Sequence, residues 1–231
     1  MKIYAIVQAR MSSKRFPGKT LYKVQNKPLI SFLLETLSKC RGLDDILLAT
    51  SIDKSDDPIL DYCEKKSVRH FRGSLDNVAE RFKDIIEAEN IDAFVRLSGD
   101  SPLLDPQIIE KAVALYRKNE YDIVTNVLNR SFPKGQSVEV VNAKTFLEAY
   151  SELKSNEDKE HVMPFFYRNK DKYNIFNIES DYDASTVQLS VDTDGDMRIF
   201  KLILNKMDRP HWQYNWKEVL ELRDSAVSRI Q

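Results

Sequence analysis

The chain has 231 residues, 42% hydrophobic and 31% charged, with a formal net charge of −1. That balance suits a chain able to bury a sizeable core and speaks against binding nucleic acid or a membrane through the whole surface. The charge is unevenly spread: residues 1–34 hold seven Lys/Arg and no Asp/Glu, leaving 28 bases against 36 acids in the other 197.

Residues 2–8, KIYAIVQ, form a short apolar run rich in β-formers and predict a buried strand. The segment 28–40 opens on Pro28 and carries apolar residues at helical spacing, so a helix is expected. A strand at 45–50 follows, then a helix at 57–66 with Asp57 as N-cap and Pro58 at its first position. A short strand at 68–71 precedes an amphipathic helix at 77–90. Residues 92–100, DAFVRLSGD, predict a strand running into a loop, and 105–119 repeat the Asp-Pro helix start. Strands are then expected at 122–126 and 137–142, with the polar loop VLNRSFPKG between them. Helices at 143–153 and 158–169 come next, then strands at 173–179 and 186–193, as antiparallel or mixed additions to the sheet. Helices at 194–207 and 215–228 finish the pattern.

Strands alternating with helices of 10–15 residues indicate βαβ units and a mostly parallel sheet in a three-layer α/β sandwich. No linker or repeat interrupts the pattern, so 1–231 reads as one domain. Cys40 and Cys63 lack CxxC partners and read as free thiols, which fits a reducing, cytoplasmic location. Neither a signal-peptide h-region nor an apolar run of about 18 residues is present.

Ligands of such sheets bind beyond the carboxyl ends of the strands. Two polar motifs follow directly on strands and should share that rim. The first is QARMSSKRFPGKT (8–20). Six bases lie between Arg10 and Lys27 with no acid among them. Backbone N–H groups, Arg and Lys together suit an oxyanion such as a triphosphate. Neither GxxxxGK[ST] nor GxGxxG is present. Lying on a surface loop, Lys19 should be removable without harm to the fold. The second motif, SGDSPLLDP (98–106), puts Asp100 at the rim, where a carboxylate can hold Mg²⁺. Ser98 and Ser101 could bond a ligand there. Asp105 precedes Pro106 and reads as an N-cap, a role in which Asn would serve equally.

A third motif, SVDTDGD (190–196), offers Asp192 as a free carboxylate able to face Asp100 across a metal, while Thr193 or Asp194 caps the next helix. FRGSLDN (71–77) could read a base or ribose, or simply close a loop with Asp76 as N-cap. The three histidines have no zinc spacing.

These segments resemble the sugar-acid cytidylyltransferases, the group that makes CMP-sialic acid and CMP-Kdo. VQARMSSKRFPGKTL is similar to their N-terminal signature, with Arg10, Ser12, Ser13, Arg15, Pro17, Gly18, Lys19 and Leu21 matching and Phe16 in place of Leu. LSGDSPLLDP and LSVDTDGDM resemble the family's later Asp-bearing segments. FRGSLDNVAERF, SFPKGQSVEVV and KEHVMPFF are most similar to a spore-coat polysaccharide biosynthesis subgroup.

The resemblance implies a nucleotide-diphosphosugar-transferase-like α/β sandwich using CTP and Mg²⁺. It implies catalytic roles for Arg10, Lys19 and Asp100, and metal ligation by Asp100 and Asp192. Ala9, Ser12, Ser13, Arg15, Arg72, Ser74 and Ser98 would lie with Arg10 and Lys19 about the nucleotide. Gln136, Glu139, Glu160 and His161 would face a small-molecule acceptor. The expected assembly is a homodimer, without nucleic acid or membrane. Two alternatives stand beside this reading. One is the same transfer with another NTP, or with a phosphonate or polyol phosphate as acceptor. The other is a glycosyltransferase of related fold, which the late position of every DxD triplet disfavours.

Overall fold

The computed structural model describes residues 1–228. The chain runs β1 (Ile3–Gln8), the two-residue strands β2 (Lys23–Val24) and β3 (Lys27–Pro28), α1 (Leu29–Leu37), β4 (Asp45–Ser51), α2 (Asp57–Lys66), β5 (His70–Gly73), α3 (Val78–Glu89), β6 (Ala93–Ser98) and α4 (Pro106–Lys118). It continues through β7 (Ile123–Thr125), β8 (Glu139–Asn142), α5 (Ala143–Tyr150), α6 (Asn156–His161), α7 (Met163–Arg168), β9 (Ile175–Asn177), α8 (Asp194–Leu204) and α9 (Trp216–Val227).

One sheet has the order β5-β4-β1-β6-β8-β7-β9. Its β5–β4, β4–β1, β1–β6 and β7–β9 pairs are parallel; β8 runs antiparallel to both neighbours. Period-two alternation sends β1 side chains to both faces. Ile3, Ala5 and Val7 join a core with α1, α4, α8 and α9, whereas Tyr4 and Ile6 join a second core with α3, α5 and α7. Phe94 and Phe146 pack edge to face in that second core, with centroids 5.4 Å apart. The result is the expected three-layer α/β architecture with a mostly parallel sheet. Strand β1 lies between β4, which follows it, and β6, which is placed on its other side, so a topological switch point falls at β1/β6.

Two expectations need correction, and one element has no counterpart among them. Residues 186–193 form no strand; they cross the rim as an irregular segment with an isolated bridge between Lys134 and Gln188. Their backbone groups pair with loops instead: Leu189 N–H reaches Lys134 O at 2.8 Å and Val191 N–H reaches Asp100 O at 2.8 Å. The helix expected over 158–169 breaks into α6 and α7 at Val162, which takes φ 67° and ψ −63°, because Pro164 cannot continue a helix from the preceding turn. The β2–β3 hairpin was not anticipated; Gln25 and Asn26 both take positive φ at its turn. No helix among the described residues is long and apolar enough to cross a membrane.

Candidate active site

The loop after β1 is held by buried polar contacts. Ala9 N–H donates to Ala49 O at 3.0 Å, and Thr20 Oγ1 donates to Arg10 O at 2.9 Å. Asp56 is fully buried and accepts from Met11 N–H at 2.6 Å and Ser51 Oγ at 2.5 Å, tying the loop to the end of β4. The end of β6 lies tight against this anchor. A Cβ on Gly99 would sit 2.9 Å from Ile30 Cδ1 and 3.1 Å from Gln8 O, so only glycine lets the two strand ends approach this closely.

Lys19 is only 8% exposed. Its ammonium donates to Asp100 Oδ2 at 3.1 Å, Asp192 Oδ1 at 3.0 Å and Val191 O at 2.7 Å, using all three of its N–H donors. Those two distances bound the separation of the carboxylate oxygens at 6.1 Å. Arg15 also reaches Asp192, at 3.1 Å. Burial works against ionisation of Asp192, but the bond and charge of Lys19, with Arg15 beside it, prevail and hold its carboxyl below the ordinary range. Thr193 caps α8 in a capping box with Asp196, so the cap is not Asp194.

A cleft of about 380 Å³ opens over these groups. Of the anticipated residues, Ala9, Arg10, Ser13, Arg15, Lys19, Ser98, Asp100, Glu160, His161 and Asp192 line it. Arg10 and Glu160 face one another at 3.1 Å, and Arg10 holds the Glu160 carboxyl below its usual range. The α6 segment that carries Glu160 and His161 is fixed by Val162, whose backbone has the rare γ-turn form expected to cost strain in a β-branched residue. A smaller compartment of about 180 Å³ adjoins the cleft, sharing Ser98 and Asp100. Glu139 lies there, 3% exposed, bonded to Arg96 at 2.6 Å and to the Tyr167 hydroxyl at 2.6 Å. Burial, then the Glu139 charge, pushes the Tyr167 phenol well up, so it stays a donor.

Other anticipated residues lie elsewhere. Arg72 does not line the cleft; its guanidinium donates to Ser51 O at 2.7 Å, Asp53 O at 3.0 Å and Asp57 at 2.8 Å. Ser74 accepts from Asn77 N–H at 3.1 Å, closing the turn before α3. The α3 cap is Asn77 rather than Asp76. Gln136 is fully buried and clamps the loop after β6, accepting from Asp105 N–H at 2.9 Å and donating to Leu103 O at 2.7 Å. Ser12 is exposed and does not line the cleft. Asp105 does cap α4, and its second oxygen also accepts from Trp216 N–H at 2.9 Å.

Sequence reasoning missed Arg81. It is 2% exposed and lines the cleft beside Leu75 and Val78. Its guanidinium donates to Ser74 O at 2.5 Å, and its buried Nε has no partner among the described residues. Burial pushes the guanidinium down to about 10 against the pull of Asp56. The signal was present in the sequence: Val78, Arg81, Phe82 and Ile85 follow i, i+3, i+4, i+7, so a charge stands in the apolar stripe of α3.

A family model described as Cytidylyltransferase matches residues 4–204. An uncharacterized protein of Methanocaldococcus jannaschii, MJ1063, is 35% identical over 202 residues, 87% of this chain and 82% of that one. The spore coat polysaccharide biosynthesis protein SpsF of Bacillus subtilis is 31% identical over 217 residues, 90% of this chain and 89% of that one. Among solved structures, a cytidylyltransferase from Leptospira borgpetersenii serovar Hardjo-bovis superposes with a TM-score of 0.93 at 28% identity, covering 100% of this chain and 97% of that one.

Proposed function

The chain belongs to the cytidylyltransferase family, and from that premise we propose that it transfers CMP from CTP to a sugar acid or similar acceptor, with Mg²⁺, for surface polysaccharide synthesis. The observation that carries this reading is the Lys19 ammonium set between Asp100 and Asp192 at the floor of a cleft walled by Arg10, Lys14 and Arg15. An acceptor oxygen attacks the α-phosphorus, the bond to the bridging oxygen breaks, and pyrophosphate leaves. Charge builds on the departing phosphates, so the protein's tasks are in-line positioning and neutralisation. Arg10, Lys14 and Arg15 would grip the triphosphate from the loop, while Leu75 and Val78 give the base an apolar wall beside Arg81.

Asp100 and Asp192 would hold the metal. Two carboxylates on one side of a cleft, with no larger His/Cys/Asp/Glu cluster among the described residues, fit Mg²⁺, which takes one or two carboxylates and completes its shell with phosphate oxygens and water. When bound, the ion would supply positive charge against that developing on the phosphates. The SpsF relative supports a polysaccharide setting.

The test is pyrophosphate release with each of the four NTPs against a panel of acceptors including 3-deoxy-manno-octulosonate, its 8-amino analogue and sialic acid. CTP with at least one acidic sugar should turn over, and only with a divalent metal. Turnover confined to another NTP, or undiminished in EDTA, contradicts the reading.

A further inference from the structure

Every carboxylate oxygen of the Asp100–Asp192 pair faces a protein donor. Lys19 donates to Asp100 Oδ2 at 3.1 Å and Asp192 Oδ1 at 3.0 Å, and Arg15 reaches that same Asp192 oxygen at 3.1 Å. Gln188 Nε2 donates to Asp192 Oδ2 at 3.1 Å, and Ser101 Oγ donates to Asp100 Oδ1 at 3.4 Å. The backbones that carry the two acids are tied together, since Val191 N–H donates to Asp100 O at 2.8 Å. Lys19 is the long, rotatable member of this group, and it is the only buried lysine among the described residues.

A metal ion held by both acids at about 2.0–2.1 Å needs their facing oxygens within about 4.2 Å of each other. It would then take the gap that the Lys19 ammonium fills. An ion and an ammonium on the same two oxygens would stand within about 5 Å, where two positive charges repel strongly in a half-buried site. Ion and ammonium therefore exclude one another. To leave, Lys19 needs another anion in exchange for its two carboxylates. A triphosphate in the cleft supplies one within reach, because Lys19, Asp100 and Asp192 all line that cleft.

We propose that Lys19 is a resident cation that keeps the metal site shut until a triphosphate draws its ammonium away, so that the metal enters with the nucleotide and not before it. The inference rests on the nucleotidyl-transfer reading and adds to it the order in which metal and nucleotide are taken up. Only the state with Lys19 withdrawn is competent to bind the ion, so the affinity of the nucleotide-free protein for metal is reduced by the small population of that state. The same lysine that helps to hold the nucleotide thereby works against the metal, and its removal should move the two affinities in opposite directions.

The experiment is a titration with Mn²⁺ alone, followed by electron paramagnetic resonance of the free ion, of nucleotide-free wild type, Lys19→Met, Arg15→Gln and the double variant Lys19→Met/Asp192→Asn. Lys19→Met should bind Mn²⁺ roughly 10- to 100-fold more tightly than wild type, the value of one charge-assisted bond that no longer competes. Arg15→Gln removes a positive charge at 3.1 Å from the same Asp192 oxygen but leaves the lysine in place, so its gain should be well below that of Lys19→Met. The double variant should give the gain back. A measurement on wild type decides the matter if Lys19→Met does not fold: protein labelled with ¹⁵N-lysine should show one slowly exchanging ammonium signal, from buried Lys19, that shifts when CTP is added in EDTA. Equal Mn²⁺ affinity in wild type and Lys19→Met, an equal gain in Arg15→Gln, or an ammonium signal unmoved by bound CTP overturns the proposal. If the double variant binds Mn²⁺ as tightly as Lys19→Met, the ion lies elsewhere and the metal pair itself fails. If the double variant binds more weakly than wild type while Lys19→Met gains nothing, the metal pair stands and only the role given to Lys19 fails.

Discussion

Lys19→Ala should damage both stability and nucleotide binding, although on sequence grounds a surface-loop lysine should be dispensable to the fold. The ammonium is buried and is the shared partner of Asp100, Asp192 and Val191 O. Without it, two carboxylates stay within 6.1 Å of one another. At an effective dielectric constant of about 20, like charges about 6 Å apart repel by roughly 3 kcal/mol. Partial exposure of both acids lets water and side-chain movement relieve some of that, while loss of the bond to Val191 adds to it. A net loss of about 2–4 kcal/mol at pH 7.5 is expected. Asp192 is held below the ordinary carboxylate range, so its contribution is present above an unfolded value of about 3.9 and lost as pH falls through the lowered folded value. The gap between wild type and variant should therefore narrow in acid. Urea melts followed by circular dichroism at pH 7.5 and at about pH 2.5, below the unfolded value, measure this, and calorimetry should show CTP affinity down roughly 10- to 100-fold. A variant with the wild-type urea midpoint and CTP affinity would refute the reasoning.

Arg72→Ala should leave nucleotide affinity and choice unchanged, because its guanidinium staples β4 to α2; altered NTP preference in a competition assay would contradict this. Arg81→Met, close in length, should weaken CTP binding roughly tenfold or more by removing a buried donor from the cleft; unchanged affinity by calorimetry would show that Arg81 serves the fold alone. Asp105→Asn should destabilise by about 1–3 kcal/mol, since one amide cannot accept from both Gln107 and Trp216 N–H groups; a wild-type urea midpoint would count against that. Asp100→Asn and Asp192→Asn should each abolish metal-dependent pyrophosphate release, with the double variant little worse, because groups acting as one unit are non-additive; additive losses would separate the two acids.

The alternation of apolar runs and amphipathic helices made the α/β sheet legible, because burial on both faces and on one face leave different periods. What failed was local competition. TVQLSVDT has strand composition, but no strand lies beside it; its partners are loops at Lys134 and Asp100. In the site, the basic loop and Asp100 were readable because a strand end delivers them. The burial of Lys19 was not, since its partners lie 81 and 173 residues away. Arg72 and Arg81 show the same limit from opposite sides. Both are arginines near one strand end, and only the acceptors around each decide which lines the cleft.

The most direct test of the central claim is a crystal structure of the chain with CTP and Mg²⁺. The account predicts the triphosphate in the cleft, within hydrogen-bond reach of Arg10 and Arg15, and one ion bound by both Asp100 and Asp192 at about 2.0–2.1 Å. A triphosphate seated elsewhere, or an ion that leaves Asp192 paired only with Lys19 and Arg15, would contradict it.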